Sequence, residues 1–204
     1  RSSVMGDLVN SAPVYVGDPR FIYPESWPSP GSETSYSAFF DNKKGREPMV
    51  YVGGNDGMLH AVEAETGEER FAYVPGAVFE DLNELTDTDY QHEYYVDGAP
   101  TYADAFFDGS WHSVIVGGLR NGGQAIYALD VTDPSTFDES NADDIVLWEF
   151  TDEDTSTAGN DPNGDPDLGY TYSRPSVVRL QNGDWAAIFG NGYNNMQSDG
   201  ASST

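Results

Sequence analysis

Met49-Val50-Tyr51-Val52-Gly53-Gly54-Asn55-Asp56-Gly57 runs into Leu59-His60-Ala61-Val62-Glu63-Ala64-Glu65-Thr66-Gly67 and then into Arg70-Phe71-Ala72-Tyr73-Val74. Short Val/Ile/Tyr/Phe/Trp-rich runs punctuated by Gly, Asn, Asp and Pro mark the strands of an antiparallel sheet. The same order returns. Ser11-Ala12-Pro13-Val14-Tyr15-Val16 precedes the first pass, and Gly98-Ala99-Pro100-Thr101-Tyr102 precedes a second. The second pass comprises Ser113-Val114-Ile115-Val116-Gly117-Gly118, Ala125-Ile126-Tyr127-Ala128-Leu129-Asp130-Val131-Thr132-Asp133 and Val146-Leu147-Trp148-Glu149-Phe150. A third begins with Ser173-Arg174-Pro175-Ser176-Val177-Val178 and Ala186-Ala187-Ile188-Phe189-Gly190-Asn191-Gly192. A strand-sized unit repeated in fixed order decides the architecture before any single residue does.

Matching landmarks lie 87 residues apart for Pro13 and Pro100, 64 for Val50 and Val114, and 67 for Leu59 and Ile126. Constant order with uneven spacing places insertions in loops, which sheets tolerate because loop-closure cost grows slowly with length. Phe21 to Glu47 is Pro/Ser-rich, Val74 to Tyr94 is an acidic connector with a short helix expected around Phe79 to Leu85, and Thr151 to Leu168 is an Asp/Gly/Pro/Asn loop. Helical periodicity is otherwise scarce, which argues against βαβ architectures. The fold expected is all-β: a β-propeller fragment of two complete four-stranded antiparallel blades plus part of a third. Blade 1 is placed at about 6–75, a connector at about 76–93, blade 2 at about 94–151, the acidic loop at 152–168 and the partial blade 3 at about 169–195. Such a set cannot close a ring that needs at least about four blades, so the functional protein is expected to be longer.

Aromatics at 13% and hydrophobics at 38% suffice for a packed core, and 13 tyrosines favour strands. Nine Lys plus Arg against 35 Asp plus Glu leave a formal charge of −26, which phosphate backbones and anionic lipid surfaces repel, so nucleic acid is not an expected partner. The acidity serves solubility in a salty or extracellular setting, and some of the carboxylates are candidates to bind cations. With no cysteine there is no disulfide framework, thiolate zinc site or cysteine nucleophile. No run of 18 apolar residues exists, and Arg1 to Asp7 lacks a signal-peptide apolar core, which fits an internal segment that does not span a membrane.

Val50 to Glu69 resembles the blade repeat of quinoprotein-type propellers. Gly6-Asp7-Leu8-Val9-Asn10-Ser11-Ala12-Pro13, Phe71-Ala72-Tyr73-Val74-Pro75, Leu168-Gly169-Tyr170-Thr171-Tyr172-Ser173-Arg174-Pro175 and Phe189-Gly190-Asn191-Gly192-Tyr193-Asn194 narrow the likeness. Together they resemble the C-terminal propeller of the PilY family of type IV pilus tip-associated proteins, from about Gly6 to Asn195. The resemblance implies an extracellular, surface-exposed, pilus-associated module for assembly and adhesion rather than an enzyme. Its implied partners are pilins or minor pilins and a host or abiotic surface. It also implies calcium, bound in that family by a short Asp-rich loop and coupled to pilus extension and retraction. That loop is expected in a later blade, beyond Thr204, so its ligands are not carried over onto these residues.

Within the chain, the metal candidate is Asp161, Asn163, Asp165 and Asp167, oxygen side chains at alternate positions, as a hard cation seeking six to eight oxygen ligands requires. Pro166 and Tyr172 stand where an EF-hand wants Gly and a bidentate Glu, and a solvated acidic insertion is the competing reading. Asn55-Asp56-Gly57 reads as a type I′ hairpin turn rather than a ligand cluster. His60, His92 and His112 lack metal-type spacing, and His60 reads as a packed strand position. No Gly-x-Ser-x-Gly or phosphate-cradling Gly-x-x-x-x-Gly-Lys is present. Phe71, Tyr73 and Trp148 read as packing between blades, whereas Trp27 reads as exposed and marks its insertion as the first place to seek an adhesive surface. Two alternatives stand beside the pilus reading: a quinone-cofactor dehydrogenase and a generic surface scaffold. Against the enzyme, Ala64 to Phe71 lacks the Trp of its docking motif, and Asp130 to Pro134 lacks the Thr-Gly.

Overall fold

A computed structural model of the chain describes residues 5–28, 34–153 and 164–195. The first sheet comprises β1 (Val14–Val16), β2 (Met49–Gly53), β3 (Leu59–Glu63) and β4 (Glu69–Tyr73), in that order and antiparallel throughout. The second repeats the pattern with β5 (Thr101–Phe107), β6 (Ser110–Gly118), β7 (Ala125–Asp130) and β8 (Val146–Thr151). β9 (Ser176–Arg179) and β10 (Trp185–Ile188) form a two-stranded third sheet. The fold is therefore all-β, with two up-and-down sheets and the start of another.

Strand alternation explains how the sheets stack. On β6 and β7, Ile115, Tyr127 and Leu129 join Met49, Tyr51 and Leu59 in a core between the first and second sheets. Their neighbours Val114, Val116, Ile126 and Ala128 face the other way and meet Val177, Trp185 and Ala187 of the third sheet. Successive side chains on a strand point to opposite faces, so a sheet covered on both sides reads as a continuous apolar run. Phe71 meets Phe137 edge-on at 4.6 Å, Tyr73 packs on Tyr127 at 5.2 Å, and Trp148 lies against the third sheet, as expected of packing between blades.

Two local expectations are corrected. The Asn55-Asp56-Gly57 turn is not type I′: only Gly57 has a positive φ, +86°, and the Gly57 amide donates to the Gly54 carbonyl at 3.3 Å. Type I′ needs positive φ at both central residues, whereas here a single glycine relieves the strain. The short helix expected around Phe79 to Leu85 takes the form of two 3-10 helices, Gly76–Val78 and Leu82–Thr86.

The Pro/Ser-rich insertion, by contrast, holds α1 (Tyr36–Lys43), whose Ser35 side chain caps the Ala38 amide at 3.3 Å. This helix buries Tyr36 and Phe39 against Trp111. Trp27 is half-buried rather than exposed, stacked on Tyr23 at 5.9 Å and covered by the Arg179 guanidinium at 4.4 Å. The insertion thus reaches from the first sheet over the second to the third.

Candidate functional site

Each sheet is approached through a lead-in ending in proline: Asn10-Ser11-Ala12-Pro13, Asp97-Gly98-Ala99-Pro100 and Tyr172-Ser173-Arg174-Pro175. The structure joins these equivalent segments to one another. The Asp97 carboxylate, fully buried, accepts from the Asn10 amide at 3.1 Å and from Asn10 Nδ2 at 2.7 Å. Arg120 and Asn121 donate to the same group at 3.4 Å each. Asn121 in turn accepts from the Tyr172 hydroxyl, which lies 2.9 Å from the Tyr193 hydroxyl and whose ring sits 5.4 Å from the Arg120 guanidinium. Ser11 donates to the Gly98 carbonyl at 3.1 Å, and Arg174 donates to the Pro100 carbonyl at 2.9 Å. A Cβ on Gly98 would lie 1.9 Å from the Gly118 carbonyl oxygen, so only glycine lets the lead-in lie this close. One face of the stack is in this way a continuous polar seam across three sheets.

Thr171 extends the seam. Buried at the turn between β6 and β7, its hydroxyl accepts from the Leu119 amide and donates to the Ala125 carbonyl, both at 2.9 Å. Buried polar groups are costly without partners, and here each carries several.

A second polar cluster lies under the insertion. Asp104, fully buried on β5, accepts from Tyr36 at 2.5 Å, Tyr102 at 2.8 Å and Ser113 at 2.6 Å. Arg46 donates to Ser113 Oγ at 2.8 Å and to the Thr132 carbonyl at 3.1 Å, tying the insertion to the second sheet. Burial first, and then the Asp104 charge, push the Tyr23 phenol up to about 12; burial and the same carboxylate also hold Tyr36 and Tyr102 well above the usual phenol range.

His60 is packed, as its strand position implies, but not as an apolar stand-in. Its Nδ1 lies 2.6 Å from Glu69 and its Nε2 3.0 Å from Asp56. Burial alone would lower its pKa; the bonds to Asp56 and Glu69 outweigh burial and raise it. For Asp56 burial works upward, and the bonds from His60 and the Gly6 amide prevail and lower it. A neutral imidazole has one N–H, so facing two carboxylates selects the imidazolium.

Of the sequence-derived metal candidates, Asp161 and Asn163 lie outside the described residues. Asp165 and Asp167 are exposed at a turn where Asp165 Oδ1 accepts the Asp167 amide at 2.9 Å and the Asp165 amide donates to the Thr151 carbonyl at 2.9 Å. Among the described residues no three His, Cys, Asp or Glu side chains converge as a metal-holding group. His60, His92 and His112 do not converge: His92 bonds Asp7 at 3.0 Å and His112 bonds Asp130 at 2.6 Å. Sequence reading missed Asp97, Asp104, Arg46 and Thr171. The signal for Asp97 was its alignment with Asn10 in the repeat, and for Asp104 its place as a lone acid between alanines on a strand.

The family model of the PilY1 beta-propeller domain matches residues 5–204. The chain belongs to the PilY1 β-propeller family. The type IV pilus biogenesis factor PilY1 of Pseudomonas aeruginosa PAO1 is 45% identical over 204 residues, covering 98% of this chain and 16% of that protein. A PilY1 homolog of Xylella fastidiosa is 48% identical over 201 residues, covering 95% of this chain and 12% of the homolog. The crystal structure of the Pseudomonas aeruginosa PilY1 C-terminal domain superposes with a TM-score of 0.65 at 42% identity, over 89% of this chain and 32% of that one. The chain therefore spans about a sixth of the length of its PilY1 relatives. No helix among the described residues is long and apolar enough to cross a membrane.

Proposed function

We propose that this chain is a non-enzymatic part of the propeller of a PilY1-type protein, acting in type IV pilus biogenesis at the pilus tip or cell surface. Its work is binding and assembly: it holds pilins or minor pilins and presents a surface to a host or abiotic substrate. The carrying observation is the match to the PilY1 propeller over nearly the whole chain, with relatives named as pilus biogenesis factors. The polar geometry supports the same reading. Asp97 and Asp104, fully buried, are saturated by donors from neighbouring segments, an arrangement suited to rigidity rather than to turnover.

Calcium modulation is part of the proposal through the family resemblance. Within the chain it rests on the loop carrying Asp161, Asn163, Asp165 and Asp167, whose two described carboxylates face solvent. Deleting the parent gene and scoring surface pili and twitching tests the role. Loss of both, restored by the wild-type gene, is the expected result, and normal pili and twitching in the deletion strain would sink it.

A further inference from the structure

β4 is the outer strand of the first sheet, paired among the described residues with β3 alone, so alternate main-chain N–H and C=O groups along it point away from the sheet. A groove of about 490 Å³ runs beside it. Arg70 to Val74 line this groove as five consecutive residues. The facing wall comes from the connection between β7 and β8, with Phe137 and Ile145, and from Val146 at the start of β8, and Phe79, 61% exposed, also lines the groove. Tyr73, in the same lining, donates its hydroxyl to Glu149 of β8.

The charge around the groove selects the occupant. Asp138 and Glu139 line it and are exposed, and Asp143 and Asp144 lie exposed on the adjoining short helix α2 (Ala142–Ile145). Arg70, the one cationic residue among the described residues of the lining, is paired with Glu47 and Glu68. An apolar floor, a strand edge that no described strand covers along Arg70 to Tyr73, and an acidic rim together fit one class of ligand.

We propose that this groove takes an extended segment of a partner protein, apolar at alternate residues and basic at its flanks, which adds to β4 as an outer strand. Main-chain bonds to β4 supply affinity and the Phe137 and Ile145 pocket selects the apolar side chains, as in other strand-addition complexes. The inference is independent of the pilus role.

The test uses a short fluorescein-labelled peptide alternating valine with lysine and threonine, with two controls: one interrupted by proline, one with glutamate for lysine. The basic peptide is expected to bind and to slow amide exchange at residues 70–74, and neither control to bind. The exposed double variant D138K/E139K, checked for an unchanged circular dichroism spectrum, is expected to weaken the basic peptide by about ten-fold and to admit the glutamate version. No binding of the basic peptide, equal binding of the proline-interrupted one, or protection that leaves residues 70–74 unchanged overturns the proposal. So does concentration-dependent dimerisation that protects β4 without peptide, which assigns the edge to a second copy of the chain.

Discussion

Asn10 and Asp97 occupy the same position in successive repeats, three residues before the lead-in proline, and they hydrogen-bond to each other through both Asp97 oxygens, at 3.1 and 2.7 Å. The repeat therefore encodes its own junction: the residue that begins one sheet is the partner of the residue that begins the next.

D97A leaves Asn10, Arg120 and Asn121 without their acceptor at a fully buried position. The expected cost is about 3 kcal/mol in urea unfolding, with D97N retaining part of the stability because its carbonyl oxygen still accepts. A loss below about 0.5 kcal/mol for D97A would show that the seam does not hold the sheets together.

The His60 cluster predicts a pH optimum of stability. The folded pKa of His60 is raised, so its contribution is complete below the unfolded value of 6.5 and is lost as pH rises through the folded pKa. Asp56 is lowered, so its contribution is present above 3.8 and is lost as pH falls through its folded pKa. The stability gap between wild type and H60Q should therefore peak near pH 5, at about 2 kcal/mol, and narrow above neutral pH. A gap that widens from neutral to alkaline pH contradicts the imidazolium assignment.

Alkaline titration followed at 295 nm should separate the 13 tyrosines into two groups. Tyr23, pushed up to about 12, and Tyr36, Tyr51, Tyr73, Tyr102 and Tyr127, held higher by burial, should stay protonated until the chain unfolds. One reversible transition near pH 10 accounting for all of them would mean that the core is open to solvent.

The insertion is expected to behave as a clasp. Removing the Arg179 guanidinium from above Trp27 should cost about 1 kcal/mol and quicken proteolysis between residues 17 and 48, and W27A should do more. Unchanged cleavage rates in both variants would show that the insertion is not held by these contacts.

Calcium is the remaining expectation for the acidic loop. Calorimetric titration should give a calcium isotherm that D161A/D165A abolishes, since both substitutions remove hard oxygen ligands. An isotherm that the double variant leaves unchanged removes the loop from consideration.

Strand order and sheet stacking were legible because the repeat states them twice and because Val114, Ile115 and Val116 read as one run covered on both faces. Helix α1 was not legible: Tyr36 and Phe39 give it a single buried turn, and the prolines before it mask the Ser35 cap. The geometry of the turn at Gly57 is not legible because an Asn-Asp-Gly string suits more than one hairpin form, and the bonds that Asn55 donates to Asp7 and accepts from the Tyr95 amide exist only in three dimensions. The seam was partly legible, since aligning Asn10 with Asp97 requires only the repeat. Arg46 and Asp104 meet across 58 positions through Ser113, which no local pattern announces.

The yield of pilin sheared from cells measures the central claim most directly. In a strain lacking the parent gene, the wild-type gene should restore the full yield, and a gene carrying N10A/D97A should restore little of it at growth temperature. Full yield in the uncomplemented deletion strain would contradict the assignment of this propeller to pilus biogenesis.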